Sequence, residues 1–348
     1  MVTLTTPAIE TRQRMIRTDR RDPRLDAFFG PPPAVATQKR VLLFAHDGGG
    51  LGHLRRMARI ASALQGPCAA LVVTGLREGA WIVPETCELL HLPGWNSLRA
   101  KRAKYWGRAA WLDIDEPAAR RMRSEWLAAA FRAFAPDAVL VDYLPFGKAD
   151  ELVEALQASC ARKYFVLRGI IDSSDRDVLC GDAARRIGDA YDRILVAADP
   201  RIVDVVEQCA FDPQTAAKVA LVGYVAPPPG DPAAARRARG LADGQSWVVC
   251  SGGGGMHAEK FLHHCVDVAA RMPDVAFDVV FGPRSNENLA RRTIAPANCR
   301  VTRRCLTLPE WHAAADVVVT SGGYNSMLEA AVGGARILVF PSHTGAED

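Results

Sequence analysis

Two glycine clusters, one near each end of the chain, constrain the fold more than any other feature. Each follows a β-like apolar run and opens onto a helix-like segment: VLLFAHDGGGLGHLRRMARIASAL at 41–64 and VVVTSGGYNSMLEAAVGGARILVF at 317–340. A strand, a glycine turn and a helix N-terminus form an anion cradle, because free N–H groups point outward and the helix dipole favours negative charge. Two such cradles in two α/β units predict a cleft between domains that holds a phosphorylated ligand.

At 348 residues the chain has room for two cores, and 49% apolar with 24% charged residues is ordinary for a globular protein. A net charge of +4 is small for this length and implies no nucleic-acid partner. The nine cysteines (68, 87, 160, 180, 209, 250, 265, 299 and 305) include no CxxC pair, which suits reduced thiols in a cytoplasmic protein. No stretch approaches the roughly 20 apolar residues that span a bilayer. The N-terminus lacks the apolar region of a secretory signal. Membrane contact is therefore expected to be peripheral at most.

Residues 1–39 are polar and proline-broken and read as a mobile arm. Strands are expected at 41–45, 69–74, 138–141, 164–167, 194–197 and 219–222, with a helix-rich region containing 117–134 between the second and third. The Pro-rich stretch 226–233 reads as a stiff, non-helical linker. Beyond it come strands at 247–250, 278–281, 300–302 and 316–320, and a helix at 258–271. Strands alternating with helices predict parallel, doubly wound sheets in two domains, 40–225 and 234–348.

In the first cluster Gly48, Gly49, Gly50 and Gly52 permit close backbone approach, and His53 enters the helix where its imidazole can act as a general base. A plain βα turn with a solvent-facing histidine is the competing reading. The run lacks the last glycine of a dinucleotide fingerprint, and Val72-Val73-Thr74-Gly75 stands where that fold places an acid. Ser251, Gly252, Gly253, Gly254 and Gly255 follow a strand, either as an anion loop or as a flexible connector. Ser321, Gly322, Gly323, Asn325 and Ser326 give the strongest signal, since hydroxyls and a helix N-terminus together suit a diphosphate. Glu329 is expected either to accept both hydroxyls of a ribose or to close a Ser326-x-x-Glu329 capping box. Asp113-Ile114-Asp115 spells a metal-binding DxD, but before Glu116-Pro117 its acids suit a helix start. Residues 99–123 carry eight basic residues against three acids, with Trp106 and Trp111 interleaved. That segment suits an anionic acceptor or membrane surface, and equally a solvated helical face.

These stretches resemble the GT-B nucleotide-sugar glycosyltransferases, in particular the group related to the peptidoglycan N-acetylglucosaminyltransferase. The likeness is carried by HDGGGLGHLRR (46–56), PDAVLVDYLPFG (136–147), LVGYV (221–225), SGGGG (251–255) and ADVVVTSGGYNSMLEAAVGGARILVFP (315–341). The second of these and 167–176 look most like a bacterial group of uncharacterised members. The resemblance implies a GT-B fold of two Rossmann-like domains facing a cleft, acceptor on the first and donor on the second. It puts His53 at the family's histidine, Ser321 to Ser326 at the diphosphate, and Glu329 at the ribose. The nucleotide base is expected against backbone near Arg304 to Leu306. Relatives continue past FPSHTGAED, so the second domain reads as truncated and the chain as a fragment or a short member.

The resulting expectation is an inverting, metal-independent transferase moving a hexose or N-acetylhexosamine from a UDP-type nucleotide sugar to an unknown acceptor hydroxyl. No cofactor beyond the co-substrate is expected. Two other readings are a nucleotide-sugar 2-epimerase and a donor-binding subunit that needs a partner.

Overall fold

In the computed structural model the described residues are 38–48, 50–94, 114–171, 176–228, 230–254, 258–286 and 288–341. The expected arm up to residue 37, Gly49, Gly255, Asp113 and most of the basic segment lie outside them. Seven strands make the first sheet: β1 (Lys39–Ala45), β2 (Cys68–Thr74), β3 (Glu88–His91), β4 (Ala138–Asp142), β5 (Arg162–Arg168), β6 (Arg193–Ala197) and β7 (Val219–Leu221). All are parallel, in the order β3-β2-β1-β4-β5-β6-β7. Five more make the second: β8 (Trp247–Ser251), β9 (Ala276–Val280), β10 (Cys299–Thr302), β11 (Val317–Thr320) and β12 (Arg336–Val339). These too are parallel, ordered β10-β9-β8-β11-β12.

Apolar runs such as Val41 to Ala45 are buried along their whole length because helices cover both faces of a parallel sheet. One core lies on each face of each sheet. Six helices bear on the site: α1 (Gly52–Ala63), α2 (Glu116–Phe134), α3 (Pro232–Arg239), α4 (Glu259–Ala270), α5 (Leu308–Ala314) and α6 (Tyr324–Gly333). In α2, Asp115 caps the first turn by accepting from the Ala118 N–H at 2.7 Å, and Pro117 pre-sets that turn. The helix ends at Ala135 in the left-handed region, before Pro136. Its buried face runs Ala119, Arg123, Leu127, Phe131, the four-residue spacing of one helical side.

Two strands escape the sequence reading. β3 and β12 are short edge strands, exposed or half-exposed along their length, so neither carries a buried apolar run. The expected linker is also shorter than 226–233, because Asp231 caps α3 and Pro232 is its first residue. Residues from Lys39 onward form one unit.

Candidate active site at the domain interface

Open parallel sheets bind ligands beyond the carboxyl ends of the strands, where the strand order reverses. In the first sheet that point lies between β1 and β4, and in the second between β8 and β11. All three glycine clusters leave these strands, and the two switch points meet. A Cβ added to Gly254 would lie 3.3 Å from the Gly50 Cα, so any larger residue would have to push the two loops slightly apart. Asn325 Nδ2 donates to the Gly52 carbonyl at 3.1 Å, Arg284 Nη1 to the Gly48 carbonyl at 2.9 Å, and the Tyr324 hydroxyl to the Ala197 carbonyl at 2.8 Å.

His53 stands in the first turn of α1, its side chain 19% exposed, with Nδ1 2.6 Å from Oδ2 of the fully buried Asp142 at the end of β4. Arg56, one turn further along α1, donates its Nε to the other Asp142 oxygen at 2.7 Å. Burial alone would raise the Asp142 pKa, but the charges and bonds of Arg56 and His53 bring it below the ordinary value. An ionised carboxylate only accepts, so the shared proton sits on His53 Nδ1 and Nε2 carries the lone pair. Burial lowers the His53 pKa, as do Arg56 and Arg168, while Asp142 opposes them. The net effect favours a neutral imidazole. His46, two residues before the first glycine, lies with its ring 4.0 Å from that of His53, and Tyr143 flanks both. Burial first, then the charges of His53, Arg56, Arg168 and Lys148, depress His46 well below the usual imidazole range. Lys148 itself is pushed down by burial to about 7. Arg168 places its guanidinium 4.9 Å over the Tyr143 ring and donates to that phenol oxygen at 3.3 Å.

In the second domain Ser321, Gly322 and Gly323 are half-buried at the end of β11, and no atom stands within 4 Å of a Cβ built on Gly323. Gly322 has φ +88°, the left-handed region that glycine favours. Gly253 lies close by, a Cβ on it falling 4.0 Å from the Ser326 Oγ. Asn325 is committed at both ends in this arrangement, since its Oδ1 accepts from Arg59 at 3.0 Å. Ser251 is fully buried and its hydroxyl lies 3.0 Å from His312 Nε2, so that side chain does not face the cleft as the sequence suggests.

Glu329 forms no capping box, because α6 starts at Tyr324 after Gly323 and receives no side-chain cap. Its carboxylate is 1% exposed and meets His312 at 2.9 Å, Arg55 at 3.2 Å and Arg59 more tightly still. Burial would raise its pKa, yet the His312 bond and both arginines hold it at about 2. Leu306 is 60% exposed in the loop after β10. Beside that loop lies a cavity of about 450 Å³ lined by Ala290, Arg291, Val301, Thr302 and Arg303. Arg304 reaches across to place its guanidinium 5.3 Å from the Trp81 ring.

Of the expected basic surface, Arg123 is corrected: it is 1% exposed and bridges Asp47 at 3.0 Å and Glu151 at 2.9 Å, bracing the first glycine loop from beneath. Asp115 is a helix cap, its carboxylate accepting the Ala118 N–H. Among the described residues one group has the donor types of a metal site: His46, His53 and Asp142, with ligand atoms within 4.8 Å of one another. Arg56 sits on Asp142 and 3.2 Å from His53 Nδ1, a positive charge already in that place, so the group does not suit a cation. No helix among the described residues is long and apolar enough to cross a membrane.

Asp142, Arg56, His46, His312, Arg55 and Arg59 were not singled out from sequence. For Asp142 a signal existed, an acid ending the apolar run Ala138 to Val141 beside the glycine-loop strand.

Several solved structures share this architecture. The glycosyltransferase SnogD from Streptomyces nogalater superposes with a TM-score of 0.56 at 17% identity, over 89% of this chain and 83% of that one. UGT2 of Phytolacca americana, solved with UDP-2-fluoro-glucose and pterostilbene, gives 0.55 at 14%, over 89% and 81%. A UDP-N-acetylglucosamine 2-epimerase assigned in Listeria monocytogenes gives 0.53 at 11%, over 87% and 79%. No protein-family model and no curated protein matches the chain. The fold is that of the GT-B glycosyltransferases, two parallel α/β sheets of seven and five strands.

Proposed function

We propose that the chain is an inverting glycosyltransferase that moves a hexose or N-acetylhexosamine from a UDP-type nucleotide sugar to an acceptor hydroxyl, without a metal ion or a resident cofactor. One observation carries the reading: the His53–Asp142 bond of 2.6 Å at the first switch point, opposite the N-terminus of α6. Asp142 fixes the tautomer, so Nε2 can take the acceptor proton as that oxygen bonds to the anomeric carbon. The bond from the anomeric carbon to the diphosphate breaks on the opposite side, which inverts the configuration. The departing charge falls to the N–H groups of residues 321–326 and the α6 dipole in place of a metal.

The base would rest against residues 304–306, and Glu329 would meet the ribose once it is released from Arg55 and Arg59. Support for a UDP-type donor comes from the motif at 321–329 and from the UDP-sugar bound to the Phytolacca enzyme. The sequence motifs favour the group around the peptidoglycan N-acetylglucosaminyltransferase, and the scattered thiols favour a cytoplasmic location. Peripheral membrane contact would fall to the basic residues and tryptophans of 99–121.

The test is His53→Ala in the full chain. Turnover should fall by about 10²–10⁴-fold with UDP affinity unchanged. Full turnover in that variant would remove His53 from the mechanism. The likeness to the Listeria protein supports a second reading, a nucleotide-sugar 2-epimerase. Incubating UDP-N-acetylglucosamine without acceptor separates the two, because only an epimerase would return an epimerised sugar.

A further inference from the structure

Ser251, His312 and Glu329 form a hydrogen-bonded chain through the second domain, with side chains at most 1% exposed. The order is that of a serine–histidine–acid relay, but Ser251 is sealed from solvent and no substrate can reach its hydroxyl. The chain must act on something other than a nucleophile. Its two bonds are directional. Glu329 is ionised and only accepts, so His312 Nδ1 donates to Oε2 at 2.9 Å, and a neutral imidazole then accepts the Ser251 hydroxyl proton on Nε2 at 3.0 Å. The remaining oxygen, Oε1, faces the first domain, where Arg55 lies at 3.2 Å and Arg59 bonds it as well. His312 therefore keeps Oε2 from the arginines, which would otherwise be able to take both oxygens in a forked pair.

We propose that His312 is a positioning residue for the nucleotide: it pins one Glu329 oxygen so that the other is presented at the domain interface, where ribose hydroxyls replace Arg55 and Arg59. This rests on the donor role given to Glu329 above. The exchange is balanced, with two O–H donors entering as the arginine donors leave, and no covalent bond changes. Because Ser251 opens the 251–255 loop, the same relay ties that loop to the ribose carboxylate. Donor binding and loop placement are thereby one event.

The experiment is calorimetric titration of the full chain with UDP and with 2′,3′-dideoxy-UDP. The native chain should prefer UDP by about tenfold or more, the size expected of hydrogen bonds to a charged group. His312→Ala should erase that preference and leave affinity for the dideoxy nucleotide unchanged. His312→Gln, whose amide can donate to Glu329 and accept from Ser251, should restore it. Arg59→Met, a change at a partly exposed position, should tighten UDP several-fold and not the dideoxy nucleotide, and it keeps the test alive if His312→Ala fails to fold.

Equal losses for both nucleotides in His312→Ala, an undiminished preference there, or an unchanged UDP affinity in Arg59→Met would each overturn the proposal. A native chain that binds both nucleotides equally overturns it too, while leaving the transferase reading in place. A native chain that binds neither overturns that reading, and this one with it.

Discussion

At the scale of single residues, the site depends on where one proton sits. Asp142→Asn keeps the shape but can donate to His53 Nδ1, which moves the imidazole proton to Nε2 and occupies the base. Turnover at pH 7 should drop by at least about 10²-fold, with UDP binding retained, in steady-state kinetics set beside calorimetry. The pH dependence has a fixed sign. The folded pKa values of His46 and His53 lie below the free-imidazole value of 6.5, so the unfolded chain binds more protons as pH falls past it. Stability from these two groups is present above about pH 6.5 and is lost below it, by up to about 1.4 kcal/mol per pH unit for each histidine. Melting temperature followed from pH 7.5 to 5 should fall, and His46→Gln should flatten that fall. His53 was legible in the sequence because a histidine beside four glycines stands out. Asp142 was marked only as an acid ending an apolar run, and its partnership with His53, 89 positions away, arises only when β1 pairs with β4. Arg59 was hidden for the same reason, as its contact to Glu329 closes only when the two sheets meet, while His312 reaches Glu329 through the packing of α5 on α6 within the second domain.

At the scale of elements, α2 shows how a helix in a basic stretch can serve the core. Arg123 occupies its inward stripe and binds two carboxylates, Asp47 of the first loop and Glu151. Arg123→Met would strand both acids in a buried place, a loss of about 3–5 kcal/mol. Denaturant unfolding should show it as a lowered midpoint. Asp47 also accepts the Gly75 N–H at 2.8 Å, so the same variant should loosen the turn after β2 and weaken turnover without touching donor affinity. Charge counting could not tell Arg123 from the exposed Arg120 and Arg121, because only its place on the helix stripe separates them. The central strands were legible as buried apolar runs. The edges β3 and β12 were not, for their residues are exposed or half-exposed throughout, while the other two edges, β7 and β10, were read at 219–222 and 300–302.

At the scale of the whole molecule, strand order decides where chemistry can occur. Both sheets reverse at the strands that carry glycine turns, which is why clusters some 270 positions apart along the chain share one cleft. That much followed from the strand–glycine–helix pattern alone. The way the halves join did not, since it rests on side chains reaching carbonyls: Asn325 to Gly52, Arg284 to Gly48, Tyr324 to Ala197. Arg55→Ala combined with Arg59→Ala should increase the radius of gyration in small-angle scattering, the two domains swinging apart once Glu329 loses both partners. Every fastening named here is one that solvent can supply just as well. Of them only the Arg55 and Arg59 clasp on Glu329 joins opposite charges, and Glu329 is 1% exposed, so dissolved ions can slacken that clasp slightly and leave the carbonyl stitches as they are.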